Sequence, residues 1–168
     1  MLARLSAIVP LILLIGLPVS ASARLPDFKN NRITAKSIGG VRVGMSLGQA
    51  KAAWGPGGYD YDVDAPCGAD TVTCTWRQTR RVNAHVTIDN NRVERILIAG
   101  SRRSRPGRLR TRAGYRLGTK GEVFFRRGCQ SSPVGLDAPV SAGAVYTCSR
   151  VTFYVARRSG RTIAIQVG

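Results

Sequence analysis

The sequence repeats itself with an offset of 73 to 74 residues. Residues 40–44 (GVRVG) correspond to residues 114–118 (GYRLG) at an offset of 74, and Cys74 corresponds to Cys148 at the same offset. Between these two points a one-residue deletion changes the offset to 73, so that Gly55 falls on Gly128. We therefore expect the chain to contain two copies of one small structural unit.

Each copy contains the sequence pattern of a short helix. S-x-x-Q at residues 46–49 and T-x-x-E at residues 119–122 are capping-box sequences, in which the first and fourth residues bond each other's backbone amides. Gly55 and Gly128 follow nine residues after the caps, where a left-handed glycine commonly ends a helix. Apolar residues recur between the caps at helical spacing. These are Leu47, Ala50, Ala53 and Trp54 in the first copy and Val123, Phe124 and Phe125 in the second.

Segments rich in β-branched residues follow each predicted helix. They predict three strands in the first copy (residues 71–78, 82–88 and 92–98) and three in the second (145–149, 151–156 and 161–167). The expected fold class is α+β: two tandem units, each a short helix or helix hairpin packed on a three- to four-stranded antiparallel sheet. The expected boundaries are 37–99 for the first repeat and 113–168 for the second.

Four cysteines allow three disulfide pairings. The repeat selects Cys67–Cys74 and Cys129–Cys148, because each pair then joins the loop after a helix to the first strand of its own sheet. Zinc is the alternative, but neither pair is a C-x-x-C and His85 is the chain's single histidine. We expect two disulfides, no metal and no cofactor.

The N-terminus has the organisation of a signal peptide. Arg4 precedes an apolar run at residues 5–19, and A-S-A at residues 21–23 forms a small-x-small cleavage site. A membrane anchor is the alternative, but the run is shorter than the roughly 20 residues that span a bilayer. We predict cleavage after residue 23, an N-terminal arm at residues 24–36, no transmembrane span after cleavage, and a secreted, periplasmic or cell-wall-associated protein.

The mature chain is strongly basic. It has a net charge of +16, and 22 of the 26 cations in the whole sequence are arginine. A GC-rich genome would produce this bias, and so would selection for an anionic partner. Residues 100–112 are predicted to be an exposed linker that could hold the protein electrostatically to anionic wall or membrane polymers. Its arginines are Arg102, Arg103, Arg105, Arg108, Arg110 and Arg112. Since the sequence contains no helix-turn-helix, zinc-finger or RNA-stacking motif, no specific nucleic-acid partner is expected.

Strand alternation predicts a second surface with binding potential. Alternation places Val72, Cys74 and Trp76 on one side of their strand, which we expect to face the helix along with Trp54. The opposite side would present polar residues, and such a surface suits recognition of a partner and plain exposure to water equally. These residues are Thr73, Thr75, Arg77, His85, Thr87, Tyr154, Thr162 and Gln166. Hairpin arginines could bind carboxylates or phosphates bidentately, or be solvated. The predicted binding residues are Arg77, Arg80, Arg81, His85, Tyr154, Arg157 and Arg158.

Nothing in the sequence favours catalysis. No serine lies in a G-x-S-x-G motif, and the four cysteines are assigned to disulfides. Asp60, Asp62 and Asp64 resemble the start of a calcium loop, but Ala65 stands where that loop needs glycine and Thr71 where it needs a bidentate glutamate. We predict a solvated acidic loop in a non-enzymatic protein.

The doubled order of cap, short helix, glycine, cysteine and sheet resembles the family of the beta-lactamase inhibitory protein. The likeness covers residues 38–168, and V-R-V-G-M-S at residues 41–46 also resembles the small lipoproteins of the outer-membrane assembly machinery, whose lipidated cysteine this chain lacks. The first resemblance implies a secreted monomer that binds an extracytoplasmic protein through a concave surface of joined sheets. The high basicity and the Arg-rich linker are departures from that family.

Overall fold

The protein is mostly β. The structure, a computed structural model, describes residues 26, 28–79, 82–136 and 138–168. Of these residues 42% lie in strands and 13% in helices. The predicted signal peptide and the hairpin residues Arg80 and Arg81 lie outside the described residues.

Nine strands form one antiparallel sheet, in the order β5-β4-β6-β7-β8-β12-β11-β10-β9. The first five in the chain are β4 (Tyr59–Asp60), β5 (Ala65–Pro66), β6 (Thr73–Thr79), β7 (Val82–Asp89) and β8 (Arg92–Ala99). The other four are β9 (Gln130–Ser132), β10 (Ala142–Cys148), β11 (Val151–Ala156) and β12 (Thr162–Val167). The six strands predicted from the sequence correspond to β6, β7, β8, β10, β11 and β12.

The prediction of two tandem helix-plus-sheet units is wrong, because strands from the two halves pair with each other. β8 and β12 are antiparallel neighbours, with Ile98 opposite Ile165 and Leu97 opposite Gln166. Separate sheets would leave both of these apolar strands as edges with unpaired backbone groups. Pairing satisfies those groups and produces a single sheet.

Two α-helices, a short 3-10 helix and a small second sheet cover one face of the large sheet. The second sheet consists of β1 (Ile33–Thr34), β2 (Ser37–Ile38) and β3 (Val41–Arg42), and the 3-10 helix spans Arg105–Arg108. We call the covered side the helix face and the other side the open face.

The two α-helices begin differently. At α1 (Leu47–Trp54) the capping box is complete: the Gln49 amide donates to Ser46 Oγ at 3.2 Å and the Ser46 amide donates to Gln49 Oε1 at 2.9 Å. Gly55 ends this helix with φ of 94°. The second predicted box is wrong, because α2 (Gly121–Arg126) begins after Lys120 with no side-chain cap. Thr119 Oγ1 instead accepts from the Arg116 amide at 3.0 Å.

One hydrophobic core lies under the helix face and contains residues of both halves. Trp54 and Trp76 are buried as predicted and pack edge to face, with centroids 5.2 Å apart. In the second half Phe124 of α2 stacks on Phe153 of β11 at 4.6 Å. The core is thus continuous beneath the paired strands, as the single sheet requires.

Both predicted disulfides are present, Cys67–Cys74 and Cys129–Cys148. They close loops with sequence separations of 7 and 19 residues, and each joins the segment after a helix to the sheet. Each therefore fixes a helix-to-sheet connection in its own half.

No helix within the described part of the chain is long and apolar enough to cross a membrane.

Candidate functional site

A groove of about 1090 Å³ runs across the open face. Because alternate residues of a strand point to the same side, its base is built from β6, β7, β8 and β12 together. The residues at the base include Thr73, Asn83, His85, Thr87, Arg95, Leu97 and Gln166. The groove exists only because β8 pairs with β12, which places the two halves of the base side by side.

The loop between β9 and β10 forms one side of the groove. Ala138 packs on a small apolar cluster of the open face made by Ala142, Val145, Tyr154 and Ala164. Pro139, Val140 and Ser141 then border the groove. Leu136 and Val140 of this loop are fully exposed. The loop therefore packs on the second half of the open face and presents apolar side chains beside a base of mixed polar and apolar residues.

His85 lies near the middle of the base, between Thr75 on β6 and Leu97 on β8. Burial lowers the pKa of His85 below its usual 6.5, and the charge of Arg95 lowers this pKa further. At neutral pH the imidazole is therefore uncharged and offers one hydrogen-bond donor and one acceptor. Arg95 lies on the next strand, opposite Thr87, and supplies positive charge at the base.

Two other predicted binding residues of the strands lie outside the base of the groove. The Arg77 guanidinium is stacked over the ring of Tyr61, with Cζ 4.9 Å from the centroid. Tyr154 is buried beneath the loop, and its hydroxyl donates to Gln166 Oε1 at 2.9 Å. Tyr154 thereby orients an amide that does line the groove.

Alternation misplaced Thr162, which we expected on the open face. A β-bulge between Tyr154 and Val155 puts Thr162 opposite Val155 on the helix face. There its side chain is buried and its hydroxyl donates to the Thr119 carbonyl at 2.9 Å. A bulge shifts the alternation by one residue, and no sequence signal marks it here.

The sequence reading also missed Arg95, Leu97 and the loop residues 138–141. Arg95 and Leu97 share the open-face side of β8 with Ala99, so simple alternation would have found them. The loop had no comparable signal, because its position depends on a tertiary contact with Tyr154.

The remaining predicted arginines lie away from the groove. Arg157 and Arg158 are exposed in the turn between β11 and β12. All six arginines of residues 100–112 are exposed, while Leu109 within that segment is completely buried. Backbone bonds of Arg110 to Asn31 and Ile33 fasten the segment to the residues before and within β1. These arginines are thus displayed on an ordered backbone.

The acidic loop at residues 60–64 is held by its own hydrogen bonds. The Asp62 amide donates to Asp60 Oδ1 at 3.0 Å, and the Tyr59 hydroxyl donates to Asp64. The hydrogen bond to Asp64 raises the pKa of Tyr59. Within the described ranges no group of three His, Cys, Asp or Glu side chains is placed to hold a metal ion.

Comparison with known proteins identifies no relative: no protein-family model matches the chain, and no curated protein or solved structure shows significant similarity to it.

Proposed function

We propose that the protein is an exported, non-enzymatic binding protein that recognises another extracytoplasmic protein through the groove on its open face. The observation that supports this proposal most is the composition of the groove. Four strands from both halves form a base of mixed polar and apolar residues, and a loop with the fully exposed Leu136 and Val140 borders it. Two disulfides fit export, because they persist in oxidising compartments.

A protein segment suits this groove better than a small ligand. Exposed apolar side chains beside a polar surface are typical of protein interfaces. The base alternates hydrogen-bonding groups such as His85 and Gln166 with apolar Leu97, which matches the alternating side chains of an extended segment. The resemblance to the inhibitory-protein family agrees with a protein partner.

The test is a pull-down with the mature protein on secreted and envelope fractions at high salt. Each captured protein is then titrated against a variant carrying Leu136→Ser and Val140→Ser. The matched control carries Val63→Ser and Val72→Ser, which removes two other exposed apolar side chains, near the β4–β5 end of the sheet. We expect a discrete partner whose affinity falls about tenfold or more in the loop variant and is unchanged in the control, since interface anchors commonly contribute more than 1 kcal/mol each. Equal affinities for both variants would contradict a partner in the groove.

The exposed arginines of residues 100–112 favour a second candidate function, electrostatic attachment to anionic envelope polymers. Binding of this kind is screened by salt, whereas a packed protein interface persists. In a variant with all six arginines changed to Ser, polymer binding should be lost and partner capture at high salt retained. Retention of all binding to wall or membrane material by this variant would exclude the attachment hypothesis.

A further inference from the structure

A second cleft, of about 510 Å³, lies on the helix face at the far end of the second half. It is bordered by Lys120 and the first two residues of α2, by β10 and by the turn between β11 and β12. The groove lies on the other side of the sheet, so the two sites are separate. We call this site the glycine cleft, because Gly121, Gly143 and Gly160 all line it.

Three exposed cations line the glycine cleft: Lys120, which precedes α2, and Arg157 and Arg161, which begin and end the turn between β11 and β12. The backbones of Lys120 and Arg161 form an antiparallel bridge, which puts two like charges directly opposite each other. Such a pair is destabilising by itself. Glu122 lies 3.4 Å from the Lys120 ammonium and offsets one charge. The local excess of positive charge therefore has a cost that a bound anion would remove.

The position of the cations is fixed by the fold. Arg161 Nη1 donates to the Gly118 carbonyl at 3.1 Å, which orients the guanidinium. The other N–H groups of the guanidinium take no part in this hydrogen bond. The Arg157 amide donates to the Ser141 carbonyl at 3.1 Å, next to the β-bulge that contains Gly143. A Cβ on Gly143 would be 2.7 Å from the Arg157 Cα. Glycine at this position thus permits the close approach of the Arg157 backbone to β10.

The rest of the lining is mixed: Glu122 and Ser159 are polar, and the remaining residues are glycine or apolar. A Cβ on Gly121 would be 3.2 Å from Val155 Cγ1 and 3.6 Å from Tyr146 Cε2, so a side chain there would fill the base of the cleft. Ala144 and Tyr146 supply an apolar surface beside the cations. An aromatic ring next to a cationic cluster can contact the flat side of a small ring while arginines bind an attached anion.

We propose that the glycine cleft binds a phosphate monoester carried on a small ring, of the sugar-phosphate class. Arg157 and Arg161 provide bidentate donors for the phosphate oxygens, which planar guanidinium groups match in geometry. Lys120 is paired with Glu122, so the two arginines provide the net positive charge for the phosphate. Tyr146 and Ala144 contact the ring. This proposal is independent of the groove.

The experiment is calorimetric titration of the mature protein with glucose 6-phosphate, inorganic phosphate and glucose, at low and at physiological salt. We expect saturable one-to-one binding of glucose 6-phosphate, weaker binding of inorganic phosphate and none of glucose. Amide NMR shifts should locate the bound ligand at Gly121 and Gly160. Equal affinity for inorganic phosphate and glucose 6-phosphate would overturn the assignment of the ring.

Arg157→Gln is the test variant and Arg158→Gln is its matched control. Both residues are exposed in the same turn and lose the same charge, but only Arg157 lines the cleft. Loss of a charged hydrogen-bond donor should weaken binding about tenfold or more for Arg157→Gln. Arg158→Gln should change it by less than about twofold, since an exposed charge acts only through screened attraction. Equal weakening by the two variants, or no saturable binding, would show that the protein only attracts anions through its net charge.

Discussion

Protonation of His85 should make the stability of the fold depend on pH. It is the chain's single histidine, and burial together with Arg95 lowers its pKa in the folded protein. The unfolded chain therefore binds a proton at higher pH than the folded one does. The free energy of unfolding should be highest above about pH 6.5 and should fall as the pH drops from there toward the lowered pKa.

His85→Gln should remove this dependence, because glutamine is neutral throughout. Urea unfolding followed by fluorescence at several pH values between about 7.5 and 5.5 measures the effect. We expect the wild-type midpoint to decrease over this interval and the variant midpoint to stay nearly constant. Identical slopes for the two proteins would show that His85 is not buried as described.

Single residues were predictable from the sequence where alternation was undisturbed. Trp54 and Trp76 were assigned to the core from helical spacing and from strand alternation, and both are buried. Thr162 was assigned to the wrong face because of the bulge at Tyr154 and Val155. A bulge is fixed by the packing of neighbouring strands, so a local pattern could not reveal it.

The two helix starts can be distinguished by mutation. Ser46→Ala removes a complete capping box and should lower the free energy of unfolding by about 1 kcal/mol. Glu122→Ala alters the corresponding position of α2, where no box exists, and should change stability by less than about 0.5 kcal/mol. Chemical denaturation measures both. A cost for Glu122→Ala equal to that for Ser46→Ala would mean that α2 is capped after all.

The sequence predicted both helices correctly, but of its two predicted capping boxes only the one at α1 forms, and the reason is tertiary. The Thr119 carbonyl accepts from the amide and the hydroxyl of Thr162, which ties Thr119 to β12. Its own hydroxyl is bonded to the Arg116 amide. With Thr119 committed in this way, α2 begins at Gly121 and the T-x-x-E pattern at residues 119–122 is not used as a cap.

The pairing of β8 with β12 predicts that the two halves unfold as one. Both tryptophans lie in the first half, so their fluorescence reports on that half alone. Ile165→Ala, a change in the buried face of β12, should destabilise the protein by about 2–5 kcal/mol and shift the tryptophan transition with it. Ile163→Ala on the same strand is the control, since Ile163 is only partly buried and the loss should be smaller. If Ile165→Ala left the midpoint of the tryptophan transition unchanged, the two halves would be independent units.

The repeat predicted the strands correctly and the architecture wrongly. Both outcomes follow from the short range over which sequence patterns act. Local patterns specify which residues form β6 to β8 and β10 to β12, because strand propensity and alternation act over a few residues. They do not specify what an edge strand pairs with. Ile96 and Ile98 of β8 meet Val167 and Ile165 of β12 across a gap of more than sixty residues in the chain. The groove depends on that contact, so its base could be only partly predicted.

The strand order also determines when the protein can finish folding. β12 is the last of the nine strands in the chain, yet it lies in the interior of the sheet between β8 and β11. As a nascent chain emerges, β4 to β8 can associate early, but the apolar edge of β8 stays uncovered until Thr162–Val167 has been made. An exposed edge of this kind invites pairing with other chains. Translation arrest or proteolysis before residue 162 would therefore leave a fragment whose exposed β8 edge is prone to aggregation. Only a chain that includes β12 can cover this edge itself.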